Sequence, residues 1–510
     1  MTTDALTLFR EIEMATLKPA RVRIAPSPTG RIHLGTARTA LYDFLLARQT
    51  GGQFILRLED TDQKRYVPGA EDELIRGLRW LGLEWDEGID VGGPYGPYRQ
   101  SERKEIYQHY ARQLIEGGSA FYCFCTPDRL ERVRKEQFKA RQQVRYDGTC
   151  RRLDPDEAAR RVAAGERHVI RFKTPEEGVT IGHDILRGDI TVENRYLDDY
   201  ILIKSDGLAL YHLAAMVDDH LMGITHVLRG AEWLPTFPLH VQIVRAFGWQ
   251  EPEWIHLSLF LKPSGKGKMS KRETGQSMQD GYSFFLGDLE ELGYLPEAVD
   301  NWIALMGWSY DDHTEFFTLT DLIEKFSLDR LNPSPAAINF TKLDYFNGLH
   351  IRNLPLPELA RRVRPFFEKA GYSVDEDKLL KVIPLIQVRM VTLDDAPVVG
   401  GLFFEDEIHP DPADLLGDKM TPAQSAEAAR RCYQILQSLP EITVETAEQP
   451  LRDQAEQLGL STGQLFGLLR KAITGKTVSP PLIESMAVFG KETVLKRLRE
   501  AIGKLEKMAG

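Results

Sequence analysis

The sequence predicts an α/β protein with a doubly wound parallel sheet, interrupted by an insertion and followed by an all-helical half. Three observations carry this. Short apolar runs alternate with helical periodicity over residues 21–95, strand runs return after a charged and mostly helical segment, and beyond about Pro333 only amphipathic helical patterns remain. At 510 residues the chain is too long for one ordinary core, so two to four domains are expected. With 42% hydrophobic and 27% charged residues, its composition is that of a soluble globular protein.

The opening MTTDALTLFREIEMATLKPA carries Asp4, Glu11 and Glu13 and lacks a basic start followed by an apolar run. It therefore reads as a short arm, residues 1–20, and not as a targeting segment, with Met14 a second candidate start. No run approaches the ~18 apolar residues of a membrane span, so a cytoplasmic protein without a membrane partner is expected.

Residues 21–99 read as strand, helix, strand, helix. The first strand is near Arg21–Ile24, and a helix from about Thr36 places Ala37, Ala40, Leu41, Phe44 and Leu45 on one face. Gly51-Gly52 then introduces a strand over Gln53–Asp60, and AEDELIRGLRWLGL is a second helix. Residues 100–195 are an insertion that turns from charged helices to strands such as RHVIRFKTP. Across 196–255 the sheet resumes, with THVLRGAEWL a strand running into a helix. Helical patterns such as LPELARRVRPFFEKAGY and KETVLKRLREAIGKL fill 346–510, and no fixed period suggests a solenoid.

The net charge of −11 excludes a surface that grips nucleic acid everywhere, but it leaves room for local basic patches. Four cysteines exclude a disulfide framework.

Two segments suggest phosphate chemistry. In RVRIAPSPTGRIHLGT a strand ends in Pro26, Pro28 and Gly30, and His33 and Gly35 stand where a helix begins. A helix N-terminus attracts anions through unpaired N–H groups, and glycine permits close approach. LKPSGKGKMSKRETG (Leu261–Gly275) concentrates lysine and arginine among glycines. Lysine heads act as movable charges against phosphate oxygens. Alone, each segment is equally a plain turn or a solvated loop.

Together the motifs SPTGRIHLGT and KMSKR resemble the signatures of the class I aminoacyl-tRNA synthetases. With RLEDTD, PYRQSER and YHLAAMVDDHLMGITHVLRG, the chain is similar to the bacterial-type glutamyl-tRNA synthetase family. The resemblance is strongest from Arg21 to about Gly348. It implies a Rossmann-type catalytic domain in two halves (21–99 and 196–255) around an inserted α+β acceptor-end domain (100–195). A stem-contact domain with the KMSKR loop (256–345) and an all-α C-terminal anticodon-binding half (346–510, with a break near 410) would follow.

The implied activity joins L-glutamate to the terminal adenosine of tRNA(Glu) through a glutamyl-adenylate made from ATP. Such a reaction needs positioning and charge stabilisation and no enzyme nucleophile. His33, Lys268 and Lys271 are the implied catalytic residues, with Gly35 and Ser270 also at ATP. Arg23, Ser27, Glu59, Tyr211 and Arg229 are implied at glutamate. A structural ion pair with Asp218 or Asp219 is the alternative for Arg229. Ala215 stands where some relatives carry Asn. Mg²⁺ is expected with ATP, held mostly by phosphates and water. Thr36 replaces the second histidine expected of glutaminyl-tRNA synthetase, and a monomer is expected.

Cys123, Cys125 and Cys150 resemble a zinc-binding version of the insertion, but Arg152 stands where a histidine ligand would. Tyr146, His168 or water are the remaining fourth donors, and zinc is expected to be absent. Glu131–Arg145 reads as a basic helix for tRNA phosphates, with a solvated face as the other reading. Arg389 aligns with an arginine that reads the anticodon in some relatives; an ordinary surface arginine is the other reading.

Overall fold

The structure is a computed structural model that describes residues 18–266 and 282–510. It divides into two compact units, one comprising the chain up to Leu289 with Val299–Phe340, the other Glu290–Ala298 with Thr341–Gly510.

In the first unit, strand β1 (Arg21–Ile24) pairs in parallel with β2 (Gln53–Leu56), which pairs in parallel with the short β3 (Glu87–Gly88). The β1–β2 crossover is α1 (Leu34–Thr50), whose predicted face of Ala37, Ala40, Leu41, Phe44 and Leu45 is buried. Gly51 ends it at φ 64°, a left-handed conformation that costs glycine little, and its N–H satisfies the Ala47 and Arg48 carbonyls. Helix α2 (Ala70–Trp80) follows, with Glu71, Asp72 and Glu73 complementing the positive end of its dipole.

The charged segment then forms α3 (Lys104–Glu116), β4 (Ala120–Cys123) and α4 (Pro127–Lys139). Thr126 caps α4 and Pro127 occupies its first turn. This corrects the predicted basic helix over Glu131–Arg145: it stops at Lys139, and Arg141 takes φ 56°, which no helix continues. β4 pairs antiparallel with β5 (Val169–Phe172), and β5 with β8 (Ile201–Ile203).

Between β5 and β8 lies the hairpin of β6 (Val179–Asp184) and β7 (Gly188–Glu193). Burial alternates along β6, so Thr180, Gly182 and Asp184 face inward. After helix α5 (Tyr211–Leu221) come β9 (His226–Gly230), helix α6 (Phe237–Ala246) and β10 (Glu253–Leu257). These strands run in the order β7-β6-β10-β9, with β10 parallel to both β6 and β9.

The start of β1 is hydrogen-bonded to Thr225, just ahead of β9, and farther along Arg23 Nη1 donates to the Leu228 carbonyl at 3.4 Å. Arg21 N donates to Thr225 Oγ1 at 2.8 Å, and Thr225 N donates to the Arg21 carbonyl at 2.9 Å. Beyond this the two sheets share no ladder among the described residues. A crevice beyond the carboxyl ends of parallel strands, where neighbouring strands part, is where open α/β sheets take ligands.

The second unit is helical. Thr421 with Gln424, Thr443 with Thr446 and Ser461 with Gln464 form reciprocal caps that start three of its helices. One apolar core joins Leu359, Leu415 and Leu505. No helix among the described residues is long and apolar enough to cross a membrane.

Candidate active site

A cavity of about 730 Å³ opens at the carboxyl ends of β1 and β9. Its walls hold His33, Gly35, Arg23, Ser27, Glu59, Tyr211 and Arg229, drawn from five separate segments. Thr36 also lines it. Lys268, Ser270 and Lys271 lie outside the described residues. Both flanks of their segment reach the wall, through Leu259 and Phe260 on one side and Phe284 and Phe285 on the other. Leu34 N donates to the Phe284 carbonyl at 3.0 Å, and Leu286 N to the Ile32 carbonyl at 3.2 Å, so the downstream flank is stitched to the His33 turn.

His33 is the N-cap of α1. Its Nδ1 accepts from Gly35 N at 3.0 Å, which places the proton of a neutral ring on Nε2 and makes that atom a donor. Gly35 has a local reason: a Cβ there would stand 2.9 Å from His33 Cε1.

The β1–β2 side of the cavity is a buried net of alternating charges. Arg23 Nε donates to Asp219 Oδ1 at 3.0 Å, and Arg57 Nη1 donates to the same oxygen at 2.8 Å. Arg57 Nη2 reaches Glu59 Oε1 at 3.2 Å. Arg103 Nε, Tyr107 and Gln100 all donate to Asp218. Burial pushes the Glu59 carboxyl up to about 7, although Arg57 and Arg23 pull the other way. For Arg23 burial and Arg57 work against the charged form, but Asp219, by charge and hydrogen bond, together with Tyr211 leaves it raised.

Arg229 is held differently. It makes no ion pair with Asp218 or Asp219; its Nε donates to His256 Nε2 at 3.0 Å and its Nη1 to His240 Nδ1 at 2.9 Å. Its buried Nη2 has no hydrogen-bond partner among the described residues. Tyr211 stacks on Trp233 at 4.1 Å beside it. Ala215 is fully buried in α5 and does not line the cavity, so the position read as a pocket contact is a core position.

Sequence reasoning missed Arg57, His212, His240 and His256. Arg57 sits within RLEDTD and His212 within YHLAAMVDDH, so motif membership could have flagged both; nothing local marks His240 or His256.

Cys123, Cys125 and Cys150 come together apart from this cavity, their sulfurs within 4.8 Å of one another. Cys125 Sγ and Cys150 Sγ are 3.6 Å apart, and the Tyr146 hydroxyl lies 3.6 Å from Cys123 Sγ and 3.7 Å from Cys125 Sγ. Tetrahedral zinc with ~2.3 Å bonds to sulfur separates its ligand atoms by about 3.8 Å. Three thiolates and a phenol oxygen match that spacing; Arg152 is exposed, while Arg129 Nη1 donates to Cys125 Sγ at 3.4 Å and Cys150 N donates to the Tyr146 hydroxyl oxygen at 2.7 Å. His168 is placed instead against the rings of Tyr122 and Phe124. Arg389, in the second unit, is exposed at the end of the turn Gln387–Arg389.

Residues 19–345 match the family described as tRNA synthetases class I (E and Q), catalytic domain, and residues 358–502 match an anticodon binding domain. The glutamate–tRNA ligase of Chloroflexus aurantiacus is 45% identical over 505 residues, covering 96% of this chain and 99% of that one. That of Dehalococcoides mccartyi is 43% identical, covering 96% and 99%. A crystal structure of a glutamate tRNA ligase from Elizabethkingia meningosepticum, in complex with its amino acid, superposes with a TM-score of 0.88 at 36% identity, covering 96% of this chain and all of that one. The parallel-sheet unit, the helical unit that follows it in sequence and these full-length likenesses agree, and the chain belongs to the class I tRNA synthetases of the glutamate–tRNA ligase family.

Proposed function

We propose that this chain activates L-glutamate with ATP to glutamyl-adenylate and transfers the glutamyl group to the 2′-hydroxyl of the terminal adenosine of tRNA(Glu). The single observation that carries this reading is the cavity that gathers cationic, anionic and phosphate-directed groups at the ends of β1, β2 and β9.

Glutamate presents two carboxylates and one ammonium, and the cavity offers a complement to each. Arg23 and Ser27 take the α-carboxylate, Glu59 the ammonium, and Tyr211 with Arg229 the side-chain carboxylate. The reaction is an in-line attack of the α-carboxylate on the α-phosphorus, expelling pyrophosphate. The Nε2–H of His33 donates to phosphate oxygens as their charge grows, at the positive end of the α1 dipole. Lys268, Ser270 and Lys271 hold the pyrophosphate portion, a role supported by the cavity-lining residues on either side of their segment. Mg²⁺ bound with ATP would neutralise charge on its phosphates. Arg389 and the helical unit meet the anticodon, and the enzyme works as a cytoplasmic monomer.

ATP–pyrophosphate exchange, run with glutamate in the presence and absence of tRNA, tests the assignment. Glutamate-dependent exchange is expected with tRNA present. Exchange with glutamine alone would assign the related glutamine enzyme, and none under any condition would leave a tRNA-binding protein without catalysis.

Cys123, Cys125, Cys150 and Tyr146 would hold a structural zinc in the insertion, the alternative to the expected absence drawn from Arg152. Metal analysis of the purified protein should find about one zinc per chain, lost in Cys123→Ser. A metal-free parent protein would return the cysteines to plain core residues.

A further inference from the structure

Arg229 stands in the middle of a chain of hydrogen bonds that the reaction itself does not require. Asp184, fully buried at the end of β6, accepts from His256 Nδ1 at 2.7 Å, and His256 Nε2 accepts from Arg229 Nε. On the other side Arg229 Nη1 donates to His240 Nδ1, and His240 Nε2 lies 2.9 Å from His212 Nδ1. A guanidinium only donates, so His256 Nε2 and His240 Nδ1 must be bare acceptors. That fixes every tautomer: the proton is on Nδ1 of His256 and on Nε2 of His240, which makes Nδ1 of His212 an acceptor too.

The consequence is electrostatic. Arg23 and Arg57, across the cavity, are compensated by carboxylates. Arg229 is 5% exposed, is held by two neutral rings, and pairs with no carboxylate among the described residues. We propose that His240 and His256 are positioning residues that hold Arg229 with neutral acceptors, so that its charge stays uncompensated and the pocket selects an anionic substrate side chain over its neutral amide. The inference rests on the reading of Arg229 as the side-chain carboxylate partner. Burial and Arg229 itself push His240 well down, His212 falls to about 4 for the same causes, and burial lowers His256 although Asp184 pulls it back. All three rings are therefore neutral at neutral pH.

The test compares His240→Gln, which keeps a neutral acceptor, with His240→Glu, which brings a carboxylate to the guanidinium. With tRNA present, exchange kinetics for glutamate and glutamine are read alongside Arg229→Gln. His240→Gln should stay within about threefold of the parent. His240→Glu should raise the glutamate KM by about tenfold or more, with kcat little changed, and shrink the preference for glutamate over glutamine by a similar factor. Equal effects of Gln and Glu at position 240, with Arg229→Gln strongly impaired, would overturn the neutral-acceptor proposal alone. An unimpaired Arg229→Gln would overturn the reading beneath it. Independently of any variant's folding, nitrogen NMR of ¹⁵N-histidine protein should show three neutral rings in the stated tautomers. An imidazolium at His240 or His256 at neutral pH would also overturn the proposal.

Discussion

The two sides of the cavity solve the problem of a buried arginine in opposite ways. At the β1–β2 side, Arg23 and Arg57 share Asp219, and Glu59 and Asp218 complete the net. At the β9–β10 side, Arg229 has imidazoles where the other arginines have carboxylates. A compensated charge net rigidifies a wall and is costly to break. An uncompensated buried cation contributes little to folding and is poised for an anionic ligand. The two sides should therefore fail differently when altered: the first in stability, the second in activity.

The largest effect is expected at the second side. Arg229→Gln should lower kcat/KM for glutamate by about 2–5 kcal/mol in transition-state terms, because it removes a buried, charge-assisted contact. Its unfolding free energy should stay within about 1 kcal/mol of the parent, since a poorly compensated buried charge goes with it. A melting shift as large as the kinetic loss would erase the contrast between the sides. Next is Asp219→Asn, which leaves Arg23 and Arg57 facing each other without the negative charge they share. Breaking a buried pair by removing one partner costs about 3–5 kcal/mol, and denaturant unfolding should read it directly. A loss under ~1 kcal/mol would mean that Glu59 and Asp218 carry the net without it.

Why the first side was more legible than the second is a matter of locality. His33 and Gly35 belong to one turn whose prolines, glycines and helix start are contiguous, so the chemistry is written where it acts. Arg23 lies on β1 and Glu59 three residues beyond β2, which stops at Leu56 and not at the expected Asp60; the βαβ pattern showed the unit, and the family resemblance supplied their roles. The relay behind Arg229 has no such signature. His212, His240 and His256 come from α5, α6 and β10, Asp184 comes from a hairpin in the insertion, and only tertiary packing assembles them. Tyr146 was one of three candidates beside the cysteines, and sequence alone could not choose among them: it follows α4 in irregular chain, so its distance to the sulfurs was not set by any regular element. The basic helix was overread for the opposite reason, since its charge pattern continues past Lys139 while the backbone does not.

Within the first side, the His33 turn can be perturbed without touching the charge net. In Gly35→Ala the new Cβ would meet His33 Cε1 at 2.9 Å, so the ring must give way and the cap from Gly35 N weakens. Because alanine is a better helix former than glycine, stability should change by under ~1 kcal/mol. Misplacing a transition-state donor by a fraction of an ångström should cut kcat by about tenfold, with the glutamate KM little altered. An unchanged kcat would show that His33 Nε2 tolerates displacement and is not aimed at the reacting phosphate.

The smallest effect is a pH dependence that belongs to the β1–β2 side alone. Burial raises the Glu59 carboxyl from 4.5 to about 7 against the pull of Arg57 and Arg23, with Asp219 adding to the rise. A carboxyl raised on folding favours the native state fully at pH below its unfolded value, and that stabilisation is lost as pH rises from 4.5 through about 7. Binding runs the other way, because only ionised Glu59 can accept from the glutamate ammonium. Lowering the pH from about 8 to about 6.5 should therefore raise the glutamate KM by about fourfold while slightly stabilising the protein. The histidines behind Arg229 do not blur this window, since each is shifted downward. Glu59→Gln should flatten the KM profile at a higher plateau. A profile that rises equally in that variant would move the titration away from Glu59 and onto the relay, and the two sides of the cavity would then share their electrostatics.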